Sequence, residues 1–230
     1  MADDGKVFLI TGASTGIGAA TARQAVDAGF RVVLAARSED KLDALAADLG
    51  GDAKALAVSC DVSDWNDQER LAARAREHFG GIDVVFANAG FGGARGFLAE
   101  TPERWRAMVL TNVLGVAYTI RATLPHLRDR AGHMLITSSL AGRRALPGSL
   151  YSASKHAVTA MGEALRLEVN GTGMRVTLIE PGMVDTPFFD NPGEGRLEAD
   201  DIARAVMFAV QQPPRVDVNE ILVRPTAQET

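Results

Sequence analysis

Apolar residues in this chain fall into short unbroken runs, separated by longer stretches where they recur every three or four positions. The runs at 7–10, 31–35, 55–58, 82–86, 134–137, 175–179 and 220–223 read as strands. They are apolar throughout rather than alternating, as expected when helices cover both faces of a parallel sheet. The intervening stretches 16–28, 39–48, 64–79, 102–128, 150–169 and 199–211 carry helical periodicity. Ser38 and Ser63 stand where helix caps are needed, and Thr101-Pro102-Glu103 offers a cap followed by proline at the first helical position. Gly29, Gly50-Gly51, Gly80-Gly81 and Gly171 supply stops. Regular strand–helix alternation predicts an α/β fold: a doubly wound, Rossmann-type parallel sheet of about seven strands with helices on both faces. No Pro/Gly/Ser linker, repeat or low-complexity tract divides the chain, so residues 1–230 are expected to form one domain. The longest irregular stretch is 182–196. A loop of that length in a compact domain points to function, so 183–197 is the expected substrate loop.

Composition changes this picture mainly by exclusion. The formal charge is -5 and no Lys/Arg run stands out, which argues against nucleic acid as a partner. The single cysteine, Cys60, permits no intrachain disulfide and sits in an apolar run, so it is read as a small core residue. The polar N-terminus lacks the apolar stretch of a signal peptide, and no unbroken apolar run reaches the roughly 20 residues of a membrane span. A cytoplasmic protein is the expectation. His78, His126, His133 and His156 are scattered without metal-ligand spacing, so no metal site is expected.

Candidate chemistry begins after the first strand. Gly12, Ser14, Thr15, Gly16, Ile17 and Gly18 belong to a glycine-rich turn that opens the first helix. Glycine at 12 allows a tight turn, and glycine at 16 or 18 either lets backbone approach a pyrophosphate or packs helix against strand. A helix N-terminus there would face the phosphates with unpaired N–H groups. The spacing is GxxxGxG, which differs from the GxGxxG dinucleotide fingerprint. The second strand ends Ala35-Ala36-Arg37. A guanidinium there can pair with a 2′-phosphate where a carboxylate would favour NAD(H), so NADP(H) is the expected cofactor; a solvated strand-end arginine is the alternative. Tyr151 and Lys155 lie four residues apart in a predicted helix and so share a face. An ammonium beside a phenol lowers its pKa and suits it to proton transfer at an alcohol or carbonyl oxygen.

Taken in order, these motifs resemble the short-chain dehydrogenase/reductase family in its single-domain form, over roughly residues 5–225. The carrying residues are the 12–18 turn, Asp61, Asn88-Ala89-Gly90, Asn112, Ser139, Tyr151 with Lys155, and Pro181-Gly182. The resemblance implies an oxidoreductase that moves hydride between a nicotinamide and a small alcohol or carbonyl compound. Tyr151 would be its acid–base group. Lys155 would bind the nicotinamide ribose and tune the tyrosine, Ser139 would hold the substrate oxygen, and Asn112 would support a water relay. Asp61, with Val62, would receive the adenine. Asn88, Ala89 and Gly90 would steady the sheet edge beside the cofactor, and Pro181, Gly182, Val184 and Thr186 would flank the carboxamide. It also implies a homo-oligomer, a dimer or tetramer. The 219–228 segment is similar to the ending of relatives that oxidise small 3-hydroxy acids, serine among them.

Two departures stand out. Ala87 precedes Asn88 where the family often has a second asparagine. The serine is also ambiguous. Ser139-Leu140-Ala141-Gly142 matches the family's serine-x-x-glycine and selects Ser139, whereas the usual distance to the tyrosine is one residue longer and selects Ser138. The local motif is preferred here. Arg143-Arg144 either anchor a substrate carboxylate or form an exposed loop pair. Met183, Phe188 and Phe189 either form an apolar lid or pack elsewhere, and Trp105 is read as packing. A non-catalytic NADP-binding regulator and a structural subunit that has lost its cofactor are the competing functions. A complete set of Asn112, Ser139, Tyr151 and Lys155 argues against the regulator, and the intact glycine turn against the structural subunit.

Overall fold

The computed structural model describes residues 5–187 and 195–228. Seven strands form one sheet: β1 (Val7–Thr11), β2 (Arg31–Ala36), β3 (Ala55–Ser59), β4 (Val84–Ala87), β5 (His133–Thr137), β6 (Arg175–Pro181) and β9 (Glu220–Val223). Their order is β3-β2-β1-β4-β5-β6-β9, and every pairing is parallel. The helices are α1 (Gly16–Asp27), α2 (Glu39–Asp48), α3 (Trp65–Phe79), α4 (Pro102–Val109), α5 (Gly115–Asp129), α6 (Leu150–Glu168) and α7 (Ala199–Val210).

Strand alternation divides the core in two. Val7 and Leu9 of β1 join the layer built by α3, α5 and α6. Phe8 and Ile10 of the same strand join the layer built by α1, α2 and α7. Successive side chains leave a strand on opposite faces, so a continuous apolar run is what a sheet covered on both sides requires. Strand order reverses direction at β1, with β2 on one side and β4 on the other. The crevice beyond the strand ends at that point is where open α/β sheets bind ligands.

Several local expectations change. The helix expected over 102–128 is two helices joined by a π-helical turn at Leu110–Leu114. Asn112 at the centre of that turn is fully buried. Helix Pro102–Asp129 taken together has the length and hydropathy of a membrane span. Even so, Met108, Val116, Ile120 and Leu127 are buried within the protein, as in a core helix. Asp64, not Ser63, caps α3, because its carboxylate accepts the Asp67 N–H while Ser63 Oγ bonds back to Asp61. Ser38 stands at the start of α2 but makes no side-chain cap bond, whereas Thr101 accepts the Arg104 N–H as its motif predicts. The stretch expected to be irregular over 182–196 contains β7 (Val184–Asp185), which pairs in parallel with β8 (Leu197–Glu198). Phe188 and Phe189 lie outside the described residues.

His133, at the start of β5, is buried with Nε2 2.7 Å from Thr177 Oγ1. Thr177 Oγ1 itself donates to the Val218 carbonyl, so it must accept from the imidazole, and Nδ1 is left buried without a partner. Burial, aided by the charge of Arg175, holds the ring well below its usual pKa. The unfolded chain therefore takes up a proton near pH 6.5 that the fold resists. Stability contributed by the neutral ring is present above that pH and falls below it, by at most about 1.4 kcal/mol per pH unit. Denaturant titrations at pH 7.5 and 5.5 should show a smaller acid loss in His133→Gln than in the unaltered chain. Equal losses would exclude His133 as a source of acid lability.

Candidate active site

The candidate residues converge beyond the C-terminal ends of β1, β4, β5 and β6. Asn88 joins three of these ends. Its Nδ2 donates to the Thr11 carbonyl at 3.1 Å, its Oδ1 accepts from Thr137 Oγ1 at 3.1 Å, and its N–H donates to Thr11 Oγ1 at 3.0 Å. The Ala89 N–H reaches the same hydroxyl at 3.1 Å. Thr11 and Thr137 were not singled out from sequence. A hydroxyl closing an otherwise apolar strand is the signal that could have found them.

Gly12 turns the chain in the left-handed region, at φ +67°, and a Cβ there would come within 2.9 Å of Ala89 Cα. A Cβ at Gly18 would lie 2.3 Å from the Gly12 carbonyl oxygen, so this glycine packs the helix start onto the turn. A Cβ at Gly16 would lie 3.1 Å from the Thr186 γ-methyl, so the turn runs close to the segment after β6. No side chain caps α1 at Thr15, and its first turn holds no acid. Its N–H groups thus remain open to an anion, with Ser14, Thr15 and Ile17 half-buried around them.

Two charged groups stand at the neighbouring strand ends. Arg37 is exposed just beyond β2. Asp61 follows β3 and accepts the Ser63 N–H at 2.9 Å and Ser63 Oγ at 2.7 Å. Burial opposes its ionisation, but those bonds and the charge of Arg37 outweigh burial and hold the carboxyl below its usual range. Val62 is buried beneath, with its Cγ2 2.8 Å from where a Cβ on Gly115 would sit. Cys60 is buried as expected, and burial pushes its thiol up to about 12.

Ser149 caps α6 by accepting the Ser152 N–H, which places Tyr151 in the first turn. The tyrosine side chain is hydrogen-bonded to Ser139. Ser139 Oγ also accepts the Ala141 N–H at 3.1 Å and lies 3.3 Å from the Pro181 carbonyl. Ser138 is held elsewhere, with Oγ 2.7 Å from Thr159 Oγ1 and 3.3 Å from the Lys155 carbonyl. The geometry therefore puts Ser139, the serine chosen by local motif, against Tyr151. The motif's glycine has its own reason, since a Cβ at Gly142 would lie 2.6 Å from Ser138 Oγ and 2.8 Å from the Lys155 carbonyl oxygen. The short helical turn Leu140–Gly142 thus packs closely against Lys155 and Thr159 of α6.

Lys155 is 3% exposed, donates from Nζ to the Thr137 carbonyl at 2.7 Å, and lies 5.7 Å from the Tyr151 ring centre. Burial lowers its pKa to about 8. Burial also pushes the Tyr151 phenol up to about 12, against the pull of the Ser139 bond. This reverses the lowered phenol expected from the Tyr–Lys spacing. Both groups are desolvated together, which disfavours phenolate and ammonium alike.

Asn112 Oδ1 accepts the Phe91 N–H at 3.0 Å, and Nδ2 donates to the Phe91 carbonyl at 2.9 Å and to Ser154 Oγ at 3.3 Å. Its amide thus ties the loop after β4 to α6. Gly90 lies between, and a Cβ there would be 3.2 Å from Asn112 Oδ1 and 3.8 Å from Lys155 Nζ. Gly182 is held by its N–H to the Val223 carbonyl at 2.7 Å, and Val184 is buried. Arg143 and Arg144 are both exposed, as a loop pair would be, but Arg143 is also ion-paired with buried Glu180 and with Glu220 and so is not free to anchor a substrate carboxylate. Glu180 is a carboxylate inside an apolar strand. Its presence demanded a partner that only the fold supplies.

The strand ends, the open helix start and the Asp61–Arg37 pair together suit a dinucleotide: an anion-binding turn, a basic residue beside it and an ionised acceptor beyond. Comparison with known proteins agrees. A profile of the short chain dehydrogenase family matches residues 6–196. An uncharacterized oxidoreductase of Staphylococcus saprophyticus is 39% identical over 227 residues, covering 96% of this chain and 97% of its relative. Among solved structures, an alcohol dehydrogenase from the archaeon Thermococcus sibiricus, complexed with 5-hydroxy-NADP, superimposes with a TM-score of 0.91 at 33% identity over 98% of both chains. A serine dehydrogenase from Escherichia coli gives 0.88 at 29%, over 97% of this chain and 100% of the other. A 3-ketoacyl-(acyl-carrier-protein) reductase from Brucella melitensis, complexed with NADH, gives 0.88 at 30%, over 96% and 97%.

Proposed function

Since the chain belongs to the short-chain dehydrogenase family and is an oxidoreductase of that family, we propose that it is an NADP(H)-dependent dehydrogenase or reductase of a small alcohol or carbonyl compound. The observation that carries this reading is the hydrogen-bonded Tyr151–Ser139 pair with Lys155 beneath it, set beside an uncapped glycine-rich helix start. The nicotinamide, when bound, supplies the two-electron chemistry, and the chain supplies orientation and a proton.

The start of α1, with Gly12, Ser14, Thr15, Gly16, Ile17 and Gly18, holds the pyrophosphate. Asp61, ionised, would accept from the adenine amino group, with Val62 beside it. Asn88, Ala89 and Gly90 carry the backbone past the cofactor, and Pro181, Gly182, Val184 and Thr186 flank its carboxamide end. Lys155 binds the ribose hydroxyls. Ser139 donates to the substrate oxygen and steadies its developing charge. Tyr151 transfers the proton to or from that oxygen. Asn112 keeps the loop after β4 in place beside Lys155 and supports the water relay. The phenol is protonated at neutral pH and so carries the proton that reduction of a carbonyl needs, although burial makes it a weaker acid than a free tyrosine. A binding-only regulator is not favoured, because it has no use for such a proton donor.

The choice of NADP(H) rests on Arg37. The related structures do not decide it, since one was solved with an NADP derivative and another with NADH. Fluorescence titration should give tighter binding of NADPH than of NADH. Arg37→Ala should weaken NADPH about 10- to 100-fold, the loss of one charge-assisted contact, and leave NADH unchanged. Tighter NADH binding by the unaltered chain would reject the assignment. Turnover is to be sought at 340 nm with a panel of ketones, aldehydes and 3-hydroxy acids. Outward-facing Ala153, Ala157, Ala160, Ala164 and Leu167 on α6, with exposed Phe208 and Leu222, support a homo-oligomer, a dimer or tetramer.

A further inference from the structure

The ion pair between Arg143 and Glu180 takes no part in the chemistry described above. Arg143 closes the Leu140–Gly142 turn, four residues after Ser139. Glu180 is the next-to-last residue of β6, directly before Pro181. Arg143 Nε donates to Glu180 Oε1 at 2.8 Å, and its Nη2 pairs with Glu220 at the start of β9. Glu180 is only 2% exposed, whereas the arginine side chain reaches 33%.

A carboxylate so deep in a strand of Val, Thr, Leu and Ile is costly to desolvate, and an apolar residue would serve packing as well or better. Burial pushes the Glu180 carboxyl up against the bond and charge of Arg143, and the charges of Glu220 and Glu163 push in the same direction as burial. One guanidinium therefore answers the charge of an acidic group drawn from three elements. Its planar fork meets carboxylates on two adjacent strands at once, in a fixed geometry that the point charge of a lysine does not impose.

The pair links two functional segments. On one side is the turn that carries Ser139, and on the other is the strand end that continues into Pro181 and Gly182. Two other direct ties join them, only one of them to Ser139 itself. The Ser138 N–H donates to the Ile179 carbonyl at 2.8 Å, and Ser139 Oγ lies a long 3.3 Å from the Pro181 carbonyl. Beyond Ser138 the chain leaves the sheet, so no ladder bond holds Ser139 itself.

We infer that Arg143, paired with Glu180 and Glu220, is a positioning residue that holds the Ser139 hydroxyl against Tyr151 and in register with the end of β6. This rests on the site reading above. Loss of the clamp leaves the cofactor turn intact and lets the serine drift, and small misplacements of an oriented group cost rate rather than binding.

The test compares Arg143→Gln, Arg143→Lys and the double variant Arg143→Met/Glu180→Gln with the unaltered chain. Tyr151→Phe is run in parallel. Each is assayed with NADPH and the carbonyl compound of the panel that the unaltered chain reduces fastest, and folding is followed by circular dichroism. Arg143→Gln should lose about 10- to 100-fold in kcat with an unchanged KM for NADPH. Arg143→Lys should recover part of that loss. The double variant buries no unpaired charge at position 180, so it carries the same test if Arg143→Gln does not fold. Wild-type kcat in a folded Arg143 variant would overturn the inference and leave the pair a stabilising contact. Full turnover by Tyr151→Phe, or no reduction of any compound by the unaltered chain, would overturn the site reading itself, and the clamp with it.

Discussion

Tyr151→Phe is expected to lower kcat about 10²- to 10⁴-fold, the contribution of a positioned general acid, while NADPH binding is retained. The substitution removes one oxygen and keeps the ring that packs near Lys155. Among the described residues, none of the neighbouring side chains is placed to take over the proton. Ser139 is the phenol's hydrogen-bond partner and has no acidity of its own to offer. Lys155 is turned to the Thr137 carbonyl. His156, on the same helix, is exposed and bonded to the Ser152 carbonyl. Steady-state turnover with fluorescence titration of NADPH separates the two effects. A variant that kept full turnover would mean that proton transfer runs through another group.

Two neighbouring serines should behave in opposite ways. Ser139→Ala is expected to lower kcat about 10²- to 10³-fold, as loss of a donor to the developing oxyanion does, with little change in stability. Ser138→Ala should instead lower stability by about 1–3 kcal/mol and keep most of its turnover. Its hydroxyl is buried between Thr159 Oγ1 and the Lys155 carbonyl, so its removal leaves buried polar atoms short of a partner. Kinetics and denaturant unfolding on both variants distinguish the roles. A larger kinetic loss in a stable Ser138→Ala would reverse the assignment.

These expectations separate what was legible along the chain from what was not. The seven strands and their covering helices could be read from apolar runs and periodicity, because those patterns repeat locally. The shared face of Tyr151 and Lys155 could be read too, since helical spacing alone puts them together. The serine could not be settled by counting, because motif and spacing disagreed by one residue. It was decided by Gly142, which packs the turn so closely that Ser138 points beneath α6 and Ser139 toward the phenol. The interruption of the helix at Leu110–Leu114 left no mark on the apolar pattern, yet it is the turn at which Asn112 meets Phe91.

Sequence alone determined the fold class, the family and which residues gather beyond the strand ends. These follow from periodicity, caps and motif order, all of which act between near neighbours in the chain. Only the tertiary structure decided how those residues are charged and held. Tyr151 is pushed up rather than down because the fold buries it together with Lys155. Arg143 is held in an ion-pair cluster because the fold brings Glu180 and Glu220 to it from adjacent strands. Desolvation and Coulomb interaction depend on distance and depth in space, and for residues tens of positions apart neither is written in their spacing.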